Sequence, residues 1–184
     1  MTTKTAVRKK ILVYGIGNPG RRDDGLGPAF ISELEKRGLP WLSLEADYQL
    51  QVEDSLLFAE HEKVIIVDAL KTGSQPFLFK QIKPVKDFSF TSHSLSPEAV
   101  AYLCQELYKK TPDIMTLAIR GYEFEVGEGL SPAARDNLEA ALEFLMKKLK
   151  CAAGPRSSAI MNKPRRLKSK RNRHGKEKKR SPGA

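Results

Sequence analysis

Residues 11–27, ILVYGIGNPGRRDDGLG, constrain this chain more than any other stretch. The apolar run Ile11, Leu12, Val13, Tyr14 breaks into a loop carrying Gly15, Gly17 and Gly20. The loop then presents two adjacent carboxylates, Asp23 and Asp24, before Gly25, Gly27 and Pro28 open a helix. A buried strand feeding a glycine-rich turn is where an open α/β sheet builds its ligand site, because the turn lies at the strand's carboxyl end. The residues on the loop decide its chemistry, and here they are acids.

The rest of the chain alternates strands with helices. Residues 11–15 read as a first strand, continuous in apolar side chains as when both faces of a sheet are covered. Pro28 suits a first helical position, and Phe30, Ile31 and Leu34 form a stripe ending at Gly38. Leu42 to Glu45 reads as a short second strand, and residues 52–60 as a helix with Val52, Leu56 and Ala59 on one face. VIIVD (64–68) is the clearest strand and is expected to end on Asp68. Residues 77–82 alternate as an edge or hairpin strand does. A loop with Ser92, His93 and Ser94 leads to Ser96-Pro97-Glu98, an N-cap, a first-position proline and a first-turn acid, which starts a helix running to about Lys110. Residues 114–119 are the last strand. Ser131-Pro132 repeats the cap, and Ala134, Leu138, Ala141, Leu142, Leu145 and Leu149 mark one face of a long final helix. The order predicts an α/β protein, a three-layer α/β/α sandwich with one hairpin departing from strict alternation.

The net charge of +10 is unevenly divided. Residues 151–184 hold 12 Lys+Arg against one Asp+Glu, whereas 1–150 hold 20 against 21. Residues 1–10 are expected to be a flexible leader, 11–150 one folded domain, and 151–184 a basic tail with too little apolar surface to order itself. Within it, 155–180 is a candidate arm for RNA, another polyanion or an acidic partner, or else a solubilising appendage without aromatics to stack bases. No apolar run is long enough for a membrane span, so no membrane insertion is expected. Cys104 and Cys151 lack metal or redox spacing, which fits a reduced, cytoplasmic setting. Cys104, inside a helical pattern, reads as a core residue.

Asp24, Asp68 and His93 each follow a strand, so in a parallel sheet all three can converge at one rim. Two carboxylates and an imidazole suit a transition metal such as nickel or zinc with open coordination positions. The spacing leaves other readings open: Asp68 can cap a following turn, Asp23 and Asp24 can be solvated, and a lone loop histidine can be no ligand at all. Gly15, Gly17 and Gly20 also match G-x-G-x-x-G, with Glu45 near the place of a ribose-binding acid. In that motif, however, the helix starts within the glycines, and here Arg21–Gly27 intervenes with two acids that would repel phosphate. No Ser-His-Asp elbow or Cys-His pair is apparent.

Four pieces in order, GIGNPGRRDDGLG, VIIVDA, TSHSLSP and GEGLSPAARDNLEAAL, resemble the hydrogenase maturation endopeptidases over roughly residues 11–149. The resemblance implies a mixed, mainly parallel five-stranded sheet. It also implies removal of a short C-terminal peptide from the large-subunit precursor of a nickel–iron hydrogenase after metal insertion. The family's metal-recognising residues fall on Asp24, Asp68 and His93. Many members have glutamate at the first position, so Asp24 is one methylene shorter. Nickel would be supplied by the precursor as the recognition element, with no organic cofactor; a metal can polarise a carbonyl or activate water, or a carboxylate can serve as general base. Two alternatives are a peptidyl-tRNA hydrolase, whose opening is similar to strand-GLGNPG but which expects a histidine shortly after the loop, where RRDDGLG has none, and a non-catalytic RNA- or metal-binding protein on the same fold.

Overall fold

The structure is a computed structural model that describes residues 11–86 and 95–153. The 1–10 leader, the tail from 154 onward and His93 lie outside the described residues. In chain order the elements are β1 (Ile11–Ile16), a 3-10 turn (Arg22–Gly25), α1 (Leu26–Arg37), β2 (Leu42–Asp47), α2 (Asp54–Ala59), β3 (Lys63–Leu70), β4 (Phe77–Gln81), α3 (Pro97–Tyr108), β5 (Asp113–Arg120) and α4 (Pro132–Ala153).

The strands form one five-stranded sheet in the order β2-β1-β3-β5-β4, all parallel except β4, which runs antiparallel to β5. Strand alternation sends Val13, Ile65, Val67, Leu117 and Ile119 to one face, where they pack with Phe30, Ile31 and Leu34 of α1 and with α4. Leu12, Tyr14, Ile16, Val64, Ile66 and Ile114 face the other way, onto Phe58 of α2 and Val100, Ala101 and Cys104 of α3. The expected three layers are therefore present. All six apolar positions assigned to the final helix's inner face are buried.

The caps form as read. Ser96 Oγ accepts from Ala99 N at 3.1 Å, and Ser131 Oγ from Ala134 N at 3.3 Å. Gly38 closes α1 at φ 60°, its N–H donating to Glu35 O, a left-handed cap that costs glycine no Cβ clash.

Four expectations are corrected. Helix α1 starts at Leu26 rather than Pro28, because the 3-10 turn 22–25 already brings the chain into helical geometry. Strand β3 does not end on Asp68: its pairing with β1 stops at Val67, but β5 carries it on to Leu70. Strand β4 makes no hairpin with β3; it lies at the sheet edge beyond β5 and is reached before α3. In α2 the buried residues are Ser55 and Phe58, whereas Val52 and Leu56 are about half exposed. That helix is under two turns long, so its inner side is set by docking, with Cys104 Sγ donating to Ser55 O at 3.3 Å and Phe58 edge-on to Tyr14.

Candidate functional site

In the sheet β1 is flanked by β2 on one side and β3 on the other, and the chain crosses β1 between them, so the carboxyl ends of β1 and β3 flank the crevice where an α/β sheet changes direction. Two of the sequence-selected residues meet there. Asp24 comes from the turn after β1. Asp68 lies one residue beyond the last β1–β3 pair, and alternation puts it on the face of Val64 and Ile66, the α2/α3 side.

The glycines let this turn close. Gly17 sits at φ 138°, and a Cβ there would strike the Asp24 carbonyl. At Gly27 a Cβ would stand 2.6 Å from Ile16 N and 2.7 Å from Val67 O, so α1 can begin directly over both strand ends only because this residue has no side chain.

Electrostatics tie the two carboxylates together. Burial pushes the Asp68 carboxyl up to about 6, and the charge of Asp24 pushes the same way. Against these act the Ala69 N–H, which donates to Asp68 Oδ1 at 2.7 Å, and the nearby Lys71 ammonium. Lys71 Nζ also lies 5.1 Å from the Phe124 ring centroid. Asp24 accepts from Asn18 N through Oδ2 at 3.3 Å. A half-buried pair of acids, with only the Lys71 ammonium named against Asp68 among the described residues, is a site that a cation, or the proton of a reacting group, would relieve.

Asp23 has a different part from its neighbour. It is fully buried and accepts four hydrogen bonds, from Tyr122 N (2.7 Å), Glu123 N (2.9 Å), Ser131 N (2.7 Å) and Ser131 Oγ (2.8 Å). Desolvation raises its carboxyl, but those donors outweigh it and hold the group below its ordinary value. The solvated-pair reading of Asp23 and Asp24 thus fails for Asp23.

No protein-family model matches the chain. Over 157 residues it is 27% identical to a Methanocaldococcus jannaschii protein that is itself named, provisionally, a hydrogenase maturation protease; the match covers 78% of this chain and 98% of that one. The fold is shared with the [NiFe] hydrogenase maturation protease HycI of Thermococcus kodakarensis KOD1 (TM-score 0.62, 21% identity, 79% of this chain and 95% of the other). It is shared also with the hydrogenase maturating endopeptidase HybD of Escherichia coli (TM-score 0.63, 22% identity, 78% and 93%). The chain is thus similar in sequence to one protein named for hydrogenase maturation and in fold to two others.

The resemblance read from the motifs and the fold it implied therefore both hold. The glycine-rich loop is not laid out as a nucleotide cradle: residues 21–25 stand between the last glycine of the G-x-G-x-x-G match and α1, and Glu45 is exposed on the edge strand β2. Among the described residues no three His, Cys, Asp or Glu side chains cluster as a metal site. The third member expected for such a cluster, His93, is outside them. Leu95, two residues on, packs against the α2/α3 face and donates from its N–H to Leu50 O at 3.2 Å. No helix among the described residues is long and apolar enough to cross a membrane.

Sequence reading gave Asp23 no part beyond a solvated acid and passed over Lys71 and the 121–126 stretch of the β5–α4 connection. Ser131-Pro132 signalled a helix cap, but nothing local announced that the same hydroxyl also donates to an aspartate 108 positions earlier.

Proposed function

We propose that this protein is a hydrogenase maturation endopeptidase that removes a C-terminal peptide from the nickel-loaded large-subunit precursor of a nickel–iron hydrogenase. Asp24, Asp68 and His93 contact the substrate's nickel and thereby place the scissile bond at the rim. The observation that carries this reading is the placement of Asp24 beside Asp68 at the β1/β3 crevice, where burial, with the Asp24 charge added, raises the Asp68 carboxyl, in a chain similar to proteins named for hydrogenase maturation. Further support comes from Leu95, two positions after His93 in the sequence, which packs on the face of the sheet that carries Asp68.

The nickel belongs to the substrate. Two carboxylate oxygens and an imidazole leave positions on it for precursor ligands, and borderline N/O donors suit that ion. The carboxylates also favour a cation over a bare peptide, so a nickel-free precursor gives them nothing to offset their burial. The basic segment 155–180 is proposed as an electrostatic contact for an acidic or polyanionic partner, on the strength of its charge alone.

The test is mass spectrometry of the large-subunit precursor, nickel-loaded and nickel-free, incubated with the full chain and with His93→Ala. The expected result is loss of a C-terminal peptide only from the loaded precursor and only with His93 intact. Cleavage of both precursors would overturn the nickel gate. No cleavage of a precursor from the same genome would overturn the function, and hydrolysis of a peptidyl-tRNA ester instead would replace it.

A further inference from the structure

We infer that Asp23 is a positioning residue for Asp24: its buried carboxylate, bound to the 122–131 connection, fixes the rotation of the turn from which Asp24 projects. This rests on the reading of Asp24 as a nickel-facing group given above.

The two aspartates sit in a 3-10 turn, where consecutive side chains point about 120° apart. Asp23 is buried in the protein, whereas Asp24 lies close enough to Asp68 of β3 for its charge to act there. Their anchorage is unequal. Asp23 accepts four bonds of 2.7–2.9 Å from the β5–α4 connection, whereas among the described residues Asp24 has a single long one, 3.3 Å, from Asn18 N. The backbone of the turn is stitched to the same connection. Arg22 N donates to Gly127 O, Asp23 N to Glu123 O, and Gly127 N to Gly20 O, each at 2.9 Å. The Arg22 guanidinium pairs with Glu123 at 3.0 Å and Glu125 at 2.7 Å. At Gly121 a Cβ would stand 2.8 Å from the Asp23 Cβ, so the connection approaches Asp23 this closely only as glycine.

The length of Asp24 makes the anchorage matter. An aspartate has one side-chain torsion fewer than a glutamate, so its oxygens follow a shift of its backbone more closely. A glutamate at this place has more rotamers with which to recover lost reach than Asp24 has. The orientation of the nickel-facing oxygen is therefore decided by Asp23, which has no access to the substrate itself.

The experiment compares wild type, Asp23→Asn, Asp24→Glu and the double variant, all as full chains. Asp23→Asn keeps the volume but turns an amide NH2 toward backbone donors. Two readouts are taken: Hα–Hβ couplings of residue 24 by NMR, and kcat and KM for cleavage of the loaded precursor. In wild type, residue 24 should hold one rotamer. In Asp23→Asn it should average between rotamers, and kcat should fall on the order of 100-fold with KM changed less than about threefold, the scale of a 1 Å misplacement. Adding Asp24→Glu should then restore roughly tenfold of kcat, a rescue that a mere loss of stability would not allow.

Should Asp23→Asn fail to fold, Ser131→Ala removes only one of the four donors and should show partial averaging. A single fixed rotamer of Asp24 in either folded variant overturns the inference, as does a double variant no better than Asp23→Asn. Absence of cleavage by wild type would instead overturn the proposed function, while the couplings would still decide the positioning.

Discussion

Replacing Asp68 by asparagine is expected to stabilise the protein above pH 6 while abolishing precursor cleavage. The Asp68 carboxyl has an ordinary value of 3.8 and is raised in the folded protein to about 6, chiefly by burial. Between those values the folded state keeps a proton that the unfolded chain has lost, so this residue's contribution to stability falls as pH rises through the window and stays low above it. Just over two units at 1.36 kcal/mol each amounts to about 3 kcal/mol. Asparagine removes the charge and can still accept the 2.7 Å bond from Ala69 N–H. Urea unfolding of wild type and Asp68→Asn at pH 3.5, 5 and 7.5 should therefore give equal stabilities at the lowest pH and a gap approaching about 3 kcal/mol in favour of the variant at the highest. All other groups titrate in both proteins, so the pH dependence of the gap isolates this residue. A gap that does not change between pH 3.5 and 7.5 would refute the reasoning, because the carboxylate would then carry no burial cost. Stability gained with activity lost is the expected signature of a strained functional group.

Two further outcomes follow from the packing. Gly27→Ala should cost about 3 kcal/mol in urea unfolding, since its Cβ would meet backbone atoms of Ile16 and Val67 that cannot swing aside; a loss under about 0.5 kcal/mol would show that α1 can lift off the strand ends. In a Cys151→Ser background the native protein should resist thiol labelling at pH 8, because Cys104 is fully buried and its thiol is pushed up to about 11. Labelling at the rate of a free thiol would mean that α2 and α3 open readily.

Elements with a strong local signature are legible in the amino-acid sequence. The β1 run, the glycine-rich turn, the Ser-Pro caps of α3 and α4 and the apolar face of α4 are each specified by residues within a turn or two of one another. The features that differ from expectation are set by partners distant in sequence. The inner side of α2 depends on Cys104 and Tyr14, not on its own short pattern. The length of β3 beyond Asp68 depends on β5, and the pairing of β4 depends on which sheet edge is free.

At the site, the order of residues along the chain sets the chemistry: acids on a glycine turn at the end of one buried strand and an acid near the end of another. That Asp24 and Asp68 share a crevice follows from the folded sheet, because strand order is a property of the sheet and leaves no trace in spacing. Folding also separates two adjacent, chemically identical aspartates. A 3-10 turn aims them about 120° apart, and four donors more than 90 residues away capture only Asp23. Residue type fixes what a group can do, and the long-range contacts of its neighbours fix which group is free to do it.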